Sequence, residues 1–231
     1  MAKTEANIEK IKTIVLNFLL TVKAILLSPR VFFEQMISSG EGDWRETFYF
    51  FCAIAAINAF MHTLMSYSIF HFIAGIHPVL LKLLDAIQSP LFWFVVFMSI
   101  FLMLISGAFI VSAATALIAK ACGGKGTYLD TYKVIVCSSV VLLYSWIPYI
   151  GSPFSFYYFV LVWFGLCIAH ELTGWKTYLS LVGGSTVYVS VTTISLFCIL
   201  LGTFAFLNIE LANFSSGINP EAIERMLKTG Q

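Results

Sequence analysis

Residues 134–170 read VIVCSSVVLLYSWIPYIGSPFSFYYFVLVWFGLCIAH, 37 positions without an Asp, Glu, Lys or Arg. A helix crossing the hydrocarbon core of a bilayer needs about 20 apolar residues. The run is too long for one crossing and suits two short ones. Its middle, Ile147-Pro148-Tyr149-Ile150-Gly151-Ser152-Pro153, carries two prolines and a glycine. Proline removes a backbone donor and clashes with the preceding turn, which ends helices. The stretch predicts a helical hairpin of two short spans joined by a tight turn.

Outward from this hairpin lie three more uncharged runs, 47–76, 90–119 and 177–209. The second opens on Pro90, a residue favoured at a helix start, and closes at Lys120. Together they predict an all-α, polytopic transmembrane helix bundle with five spans. Composition agrees: 59% of the 231 residues are hydrophobic, 16% aromatic and 11% charged. Mean hydropathy is +0.90. A soluble domain carries roughly 25% charged residues, so a soluble enzyme and a disordered chain are excluded. The net charge of +1 leaves no electrostatic footprint for nucleic acid.

Loop charge sets the expected orientation. With five spans, one side carries Lys3, Lys10, Lys12, Lys23, Arg30, Arg45, Lys120, Lys125, Lys133 and Lys176; the other has only Lys82, Arg225 and Lys228. The positive-inside rule then puts the N-terminus in the cytoplasm and the C-terminus outside. The N-terminal region does not read as a cleavable signal peptide, because charges recur through Lys12 and Lys23 interrupts the apolar run. Residues 5–27 place Glu5, Glu9, Lys12, Thr13 and Asn17 on one helical stripe, with Ile11, Ile14, Val15, Phe18, Leu19 and Val22 opposite. This amphipathic pattern predicts an interfacial helix, with a re-entrant segment over 11–27 as the open alternative. Residues 78–89 repeat the device more briefly, and 219–228 begin with an N-cap signature. The expected organisation is an interfacial region (1–46), a membrane domain (47–209) and a short exposed tail (210–231).

The stretch 123–181 carries an ordered set of motifs. It reads Gly-Gly-Lys-Gly-Thr-Tyr-Leu-Asp-Thr-Tyr-Lys-Val, then a span ending Trp-Ile-Pro-Tyr-Ile-Gly. A second span follows, and then His170-Glu171-Leu172-Thr173-Gly174-Trp175-Lys176-Thr177. Upstream, Ser28-Pro29-Arg30-Val31-Phe32-Phe33 fits a Pro-x-x-Phe-Phe element. The order and spacing resemble the Yip family (Ypt-interacting proteins), in the style of its bacterial members, over most of residues 28–207. The resemblance implies a five-span protein of a bacterial inner membrane. Eukaryotic relatives act in vesicle traffic and bind Rab-type GTPases through a long cytosolic N-terminal region. Here only about 45 residues precede the first span, many of them apolar.

Polar groups at membrane depth are costly and mark candidate sites. Asn58, His62 and Ser66 recur every four residues and share a helix face. They make either a polar pathway or an interhelical hydrogen-bond stripe that fixes packing. A second group gathers at the charged loops: Gly124, Lys125, Gly126, Asp130, Lys133, His170 and Glu171. Asp130 can pair with Lys133 beside a helix N-terminus. Alternatively, Gly123-Gly124-Lys125-Gly126 offers amides and an ammonium to a lipid phosphate. Walker spacing is absent, and Gly174 stands where a zinc motif beginning His170-Glu171 needs its second histidine.

Five cysteines, Cys52, Cys122, Cys137, Cys167 and Cys198, form no CxxC pair and read as small buried hydrophobes. Small residues at Ser106, Gly107, Ala108, Ser112, Ala113, Ala114 and Ala116 suit close helix packing, as do the pairs Gly165/Ala169 and Ser180/Gly184. That packing is expected within the chain, with a homo-oligomer left open. Asn213-Phe214-Ser215 matches a glycosylation sequon that a bacterial source would leave idle. No catalytic constellation, metal set or cofactor motif is found. The expectation is a non-enzymatic organising or adaptor protein acting through membrane lipids and membrane-protein partners. The alternative is a small transporter or lipid scramblase using the Asn58-His62-Ser66 track.

Overall fold

The computed structural model describes residues 2–38, 44–76, 89–147, 149, 151–190 and 193. Every regular element among them is helical. They are α1 (Ala2–Leu27), α2 (Pro29–Ser38), α3 (Trp44–Ile76), α4 (Pro90–Ala121) and α5 (Tyr128–Ser138). A 3-10 turn (Ser139–Val141), α6 (Leu142–Ser145) and α7 (Gly151–His170) follow, then α8 (Gly174–Ser190). Two compact units divide the chain, Met1–Tyr188 and Val189–Gln231. The second lies almost wholly outside the described residues, as do the surface segment at 78–88, the end of the expected fifth span, Cys198, the sequon and the tail.

Among the described residues two helices are long and apolar enough to cross a membrane, Trp44–Phe72 and Pro90–Ala121, with mean hydropathies of 1.6 and 2.7. Only 11% of the most apolar window of α4 is buried, so its Leu, Phe and Val side chains need an apolar medium around them. Two bent pairs raise the number of candidate spans to as many as four: Lys12–Leu27 with Pro29–Ser38, bent by 115°, and Phe156–His170 with Gly174–Ser190, bent by 118°. Helix α4 starts as the sequence leads one to expect. Ser89 caps it, its side chain accepting from Leu91 N at 3.3 Å, and Pro90 occupies the first turn.

The core forms around α5. Every residue from 131 to 141 is buried, the pattern of a helix enclosed on all sides. It packs against α3, α4 and α7. Val134, Val136, Val140, Leu161, Val162 and Leu166 are fully enclosed. Helix α7 runs back along α5: Val134 fills the space over Gly165, while Gly126 lies against the Ala169 carbonyl. Helix α8 packs on α4 in the same intimate way, Gly184 against Thr115 and Gly183 against Ile118. These small residues are filled from within the chain.

The N-terminal pair α1–α2 covers one side of this core. Val22 and Ile25 of α1 and Phe33 of α2 are buried in it, and Phe18 meets Phe50 with ring centroids 5.2 Å apart. Phe33 is the last residue of the Pro-x-x-Phe-Phe element, and its side chain is fully enclosed. Where α1 ends at the bend, the Leu26 carbonyl accepts from Tyr157 Oη at 2.7 Å. On the other side Ile14, Val15, Leu16, Leu19, Leu20 and Leu27 stay more than half exposed. The expected apolar stripe is therefore divided: Phe18 and Val22 meet the core, while Ile14, Val15 and Leu19 face outward.

Candidate functional site

The glycine-rich loop is built first as a helix stop. Gly123 adopts φ +89°, the left-handed conformation that glycine reaches without strain. Its N–H donates to the Lys120 carbonyl at 2.9 Å, and Gly124 N–H donates to the Ala119 carbonyl at 2.8 Å. This is the Schellman pattern, which satisfies the orphan carbonyls of α4. The next amide, Lys125 N–H, donates to the His170 carbonyl at 3.1 Å. The loop is thereby docked on the end of α7. Close approach depends on the missing side chains: a Cβ at Gly124 would sit 2.9 Å from His170 Nδ1, and one at Gly126 would collide with the Ala169 carbonyl oxygen.

Thr127 then opens α5 with a reciprocal cap. Asp130 N–H donates to Thr127 Oγ1 at 3.2 Å, while Thr127 N–H and Oγ1–H donate to Asp130 Oδ2 at 2.8 and 2.7 Å. One turn on, Thr131 Oγ1 donates to the Thr127 carbonyl at 3.2 Å and lies 2.7 Å from His170 Nε2. His170 is fully buried, and its Nδ1 finds no partner among the described residues. Beside it Glu171 takes φ +53° and pairs through Oε2 with Lys125 Nζ at 2.5 Å. That carboxylate raises the Lys125 pKa above its ordinary value.

The structure thus brings Gly124, Lys125, Gly126, His170 and Glu171 into one clasp, with Asp130 as its cap. Two expectations change. Asp130 forms no ion pair with Lys133, because its carboxylate is turned to Thr127. The amides of Gly123, Gly124 and Lys125 are already bonded to carbonyls, so they are not free to cradle a phosphate. Lys133 stands apart, 4% exposed within α5.

The other candidate cluster lies where α6 stops. A helix end in an apolar medium leaves carbonyls without intrahelical donors, and each must be satisfied by the protein. The Leu142 carbonyl accepts from Asn58 Nδ2 at 2.5 Å and from Ser145 Oγ at 2.9 Å. The Leu143 carbonyl accepts from Trp146 Nε1 at 2.7 Å, and the Tyr144 carbonyl from Ile147 N–H at 3.2 Å. Asn58 Nδ2 also reaches Ser145 Oγ at 2.9 Å, and His62 Nε2 lies 3.4 Å from the same oxygen. Asn58 is 2% exposed. Ser66, the third member of the stripe, is exposed and lies outside this network. Ser145 is the residue that sequence reasoning missed. Its signal was a hydroxyl three residues before Pro148, where carbonyls must lose their helical donors.

Both clusters fall within the part of the chain that matches a known family. No curated protein and no solved structure matches the chain. The family profile described as the Yip1 domain matches residues 23–200, which include the Phe33 element, the Gly-Lys-Gly-Thr-Tyr loop and the Trp-Ile-Pro-Tyr-Ile-Gly turn. With 178 of the 231 residues inside that match (23 to 200), the chain belongs to the Yip1 family.

Proposed function

We propose that this chain is a non-enzymatic membrane organiser that works through lipid and membrane-protein contacts, with five spans and the basic loops in the cytoplasm of a bacterial-type cell. The observation that carries the reading is the bonding of Asn58. A track for polar headgroups needs an open, continuous row of polar groups across the bilayer. Asn58 is 2% exposed, and its amide is committed to Leu142 and Ser145. Its hydrogen bonds tie α3 to the broken end of α6, a packing role that a moving headgroup would disrupt. The antiparallel contacts of α5 with α7, from Val134–Gly165 to Gly126–Ala169, support a short hairpin of spans three and four.

The test uses the purified full chain in liposomes, following fluorescent phospholipid movement between leaflets against protein-free vesicles. An organiser gives no dose-dependent movement in correctly inserted, folded protein. Movement that drops in N58L or H62L would replace this reading with the scramblase, and would make the stripe a transport site.

A further inference from the structure

Lys133 has no counter-charge among the described residues. It lies on α5, inside the eleven-residue stretch that is buried throughout, and retains only 4% of its surface. No hydrogen bond or ion pair joins its ammonium to any described residue. The two acidic groups of the adjoining loops are both committed elsewhere. Asp130, three residues back, is held by Thr127, and Glu171 by Lys125. The stem of Lys133 is buried, its Nζ is not among the wholly enclosed partnerless atoms of the described residues, and an ammonium so placed is free to take a counter-charge from outside the chain.

The position of Lys133 indicates what that something is. It stands five residues beyond Tyr128, the first residue of α5, so at 1.5 Å per residue its Cα is about 7.5 Å below the helix start. Side chains on a helix lean toward its N-terminus, and a lysine stem can carry its ammonium back to an interface while its methylenes stay buried. One turn deeper on the same face, Cys137 Sγ meets Met36 Sδ of α2 at 3.7 Å. On α1–α2, Leu27 and Val31 leave 71% and 54% of their surface open, apolar surface suited to an acyl chain. We propose that Lys133 binds the phosphate of an anionic phospholipid in the leaflet facing the basic loops. This deepens the lipid side of the organising role and rests on the orientation given above.

The experiment uses the full chain in neutral detergent micelles and reads its thermal unfolding midpoint during titration with phosphatidylglycerol, phosphatidylcholine or inorganic phosphate. Phosphatidylglycerol is expected to raise the midpoint of the wild type and of K133R at similar concentrations. In K133M and K133Q the half-saturating concentration rises at least about tenfold, the size expected for losing a charged hydrogen bond. Without lipid, both uncharged variants unfold at or above the wild-type midpoint, because an unpaired charge has been removed. Two results would overturn the proposal: an unchanged phosphatidylglycerol response in K133M and K133Q, or uncharged variants less stable than wild type without lipid. The second would mean that Lys133 has an acceptor within the chain. An equal response to inorganic phosphate overturns the lipid assignment in favour of a soluble anion. Headgroup scrambling by the wild type would sink the organising role while leaving these binding outcomes unchanged.

Discussion

The side-chain amide of Asn58 donates to the Leu142 carbonyl at 2.5 Å, joining residues 84 positions apart at the place where α6 stops. A membrane helix that breaks cannot leave its last carbonyls bare, since no water is present to take them up. Asn58→Leu keeps the apolar volume but removes the donor to both Leu142 and Ser145. Two interhelical bonds are lost while Ser145 Oγ still serves the Leu142 carbonyl, so a loss of about 1.2 kcal/mol is expected at about 0.6 kcal/mol for each. Ser145→Ala keeps Asn58 on that carbonyl and removes one interhelical bond, from Asn58 to Ser145, so a loss nearer about 0.6 kcal/mol is expected. Unfolding midpoints in micelles order the two variants. Equal stability of N58L and wild type would remove the capping role.

Glycine substitutions separate packing from mere sequence motif. Gly126→Ala drives a methyl into the Ala169 carbonyl oxygen, and backbone cannot step aside as a side chain would. The loop must lift from α7, with a loss of about 1–3 kcal/mol expected for overpacking. Gly174 is the control, because nothing lies within 4 Å of the Cβ it would gain. Gly174→Ala is expected to be neutral or slightly stabilising, as loss of unfolded-state freedom predicts. Thermal unfolding of both variants checks the contrast; a harmless G126A would show that the loop does not dock as described.

Thr131 and His170 provide a paired test of the clasp. Their side chains meet at 2.7 Å with His170 fully enclosed. Thr131 Oγ1 lies within hydrogen-bond distance of both the Thr127 carbonyl and His170 Nε2. Thr131→Val leaves the buried His170 Nε2 without this partner, at about 1–3 kcal/mol. A double-mutant cycle with His170→Gln is expected to return a coupling of at least about 0.5 kcal/mol, as for residues in direct contact. Additive losses would place the two outside a shared bond.

These sites show where the sequence was legible and where it was not. The Pro148–Gly151 break and the Pro90 helix start follow from local chemistry, because proline and glycine act on their own turn. The role of Gly123-Gly124 did not follow. A glycine-rich loop after a helix serves equally to stop that helix or to hold an anion, and only the Ala119 and His170 carbonyls decide between them. The same limit applies to Asp130 and Lys133. Spacing permits their pairing, but Thr127 presents two donors to the carboxylate and takes it first. Burial of Lys133 depends on packing around α5, which no pattern within residues 128–138 encodes.

The proposed five-span topology yields the last prediction. Ten of the thirteen Lys and Arg residues fall on one side of such a bundle and three on the other, and short-loop positive charge sets orientation. Helices α3 and α4 are long and apolar enough for two crossings. Hydrophobic length allows α5–α6 and α7 to be a short pair, with Tyr149 between them 96% exposed. A reporter active only outside the membrane, fused after Gln231, is then expected to be active, as is one inserted at Tyr149. The same reporter placed at Lys125 is expected to be silent. An even number of crossings would reverse the C-terminal result alone and leave the Lys125 result unchanged. A silent reporter at Tyr149 would instead make 134–170 a re-entrant segment, because its turn would never reach the far side.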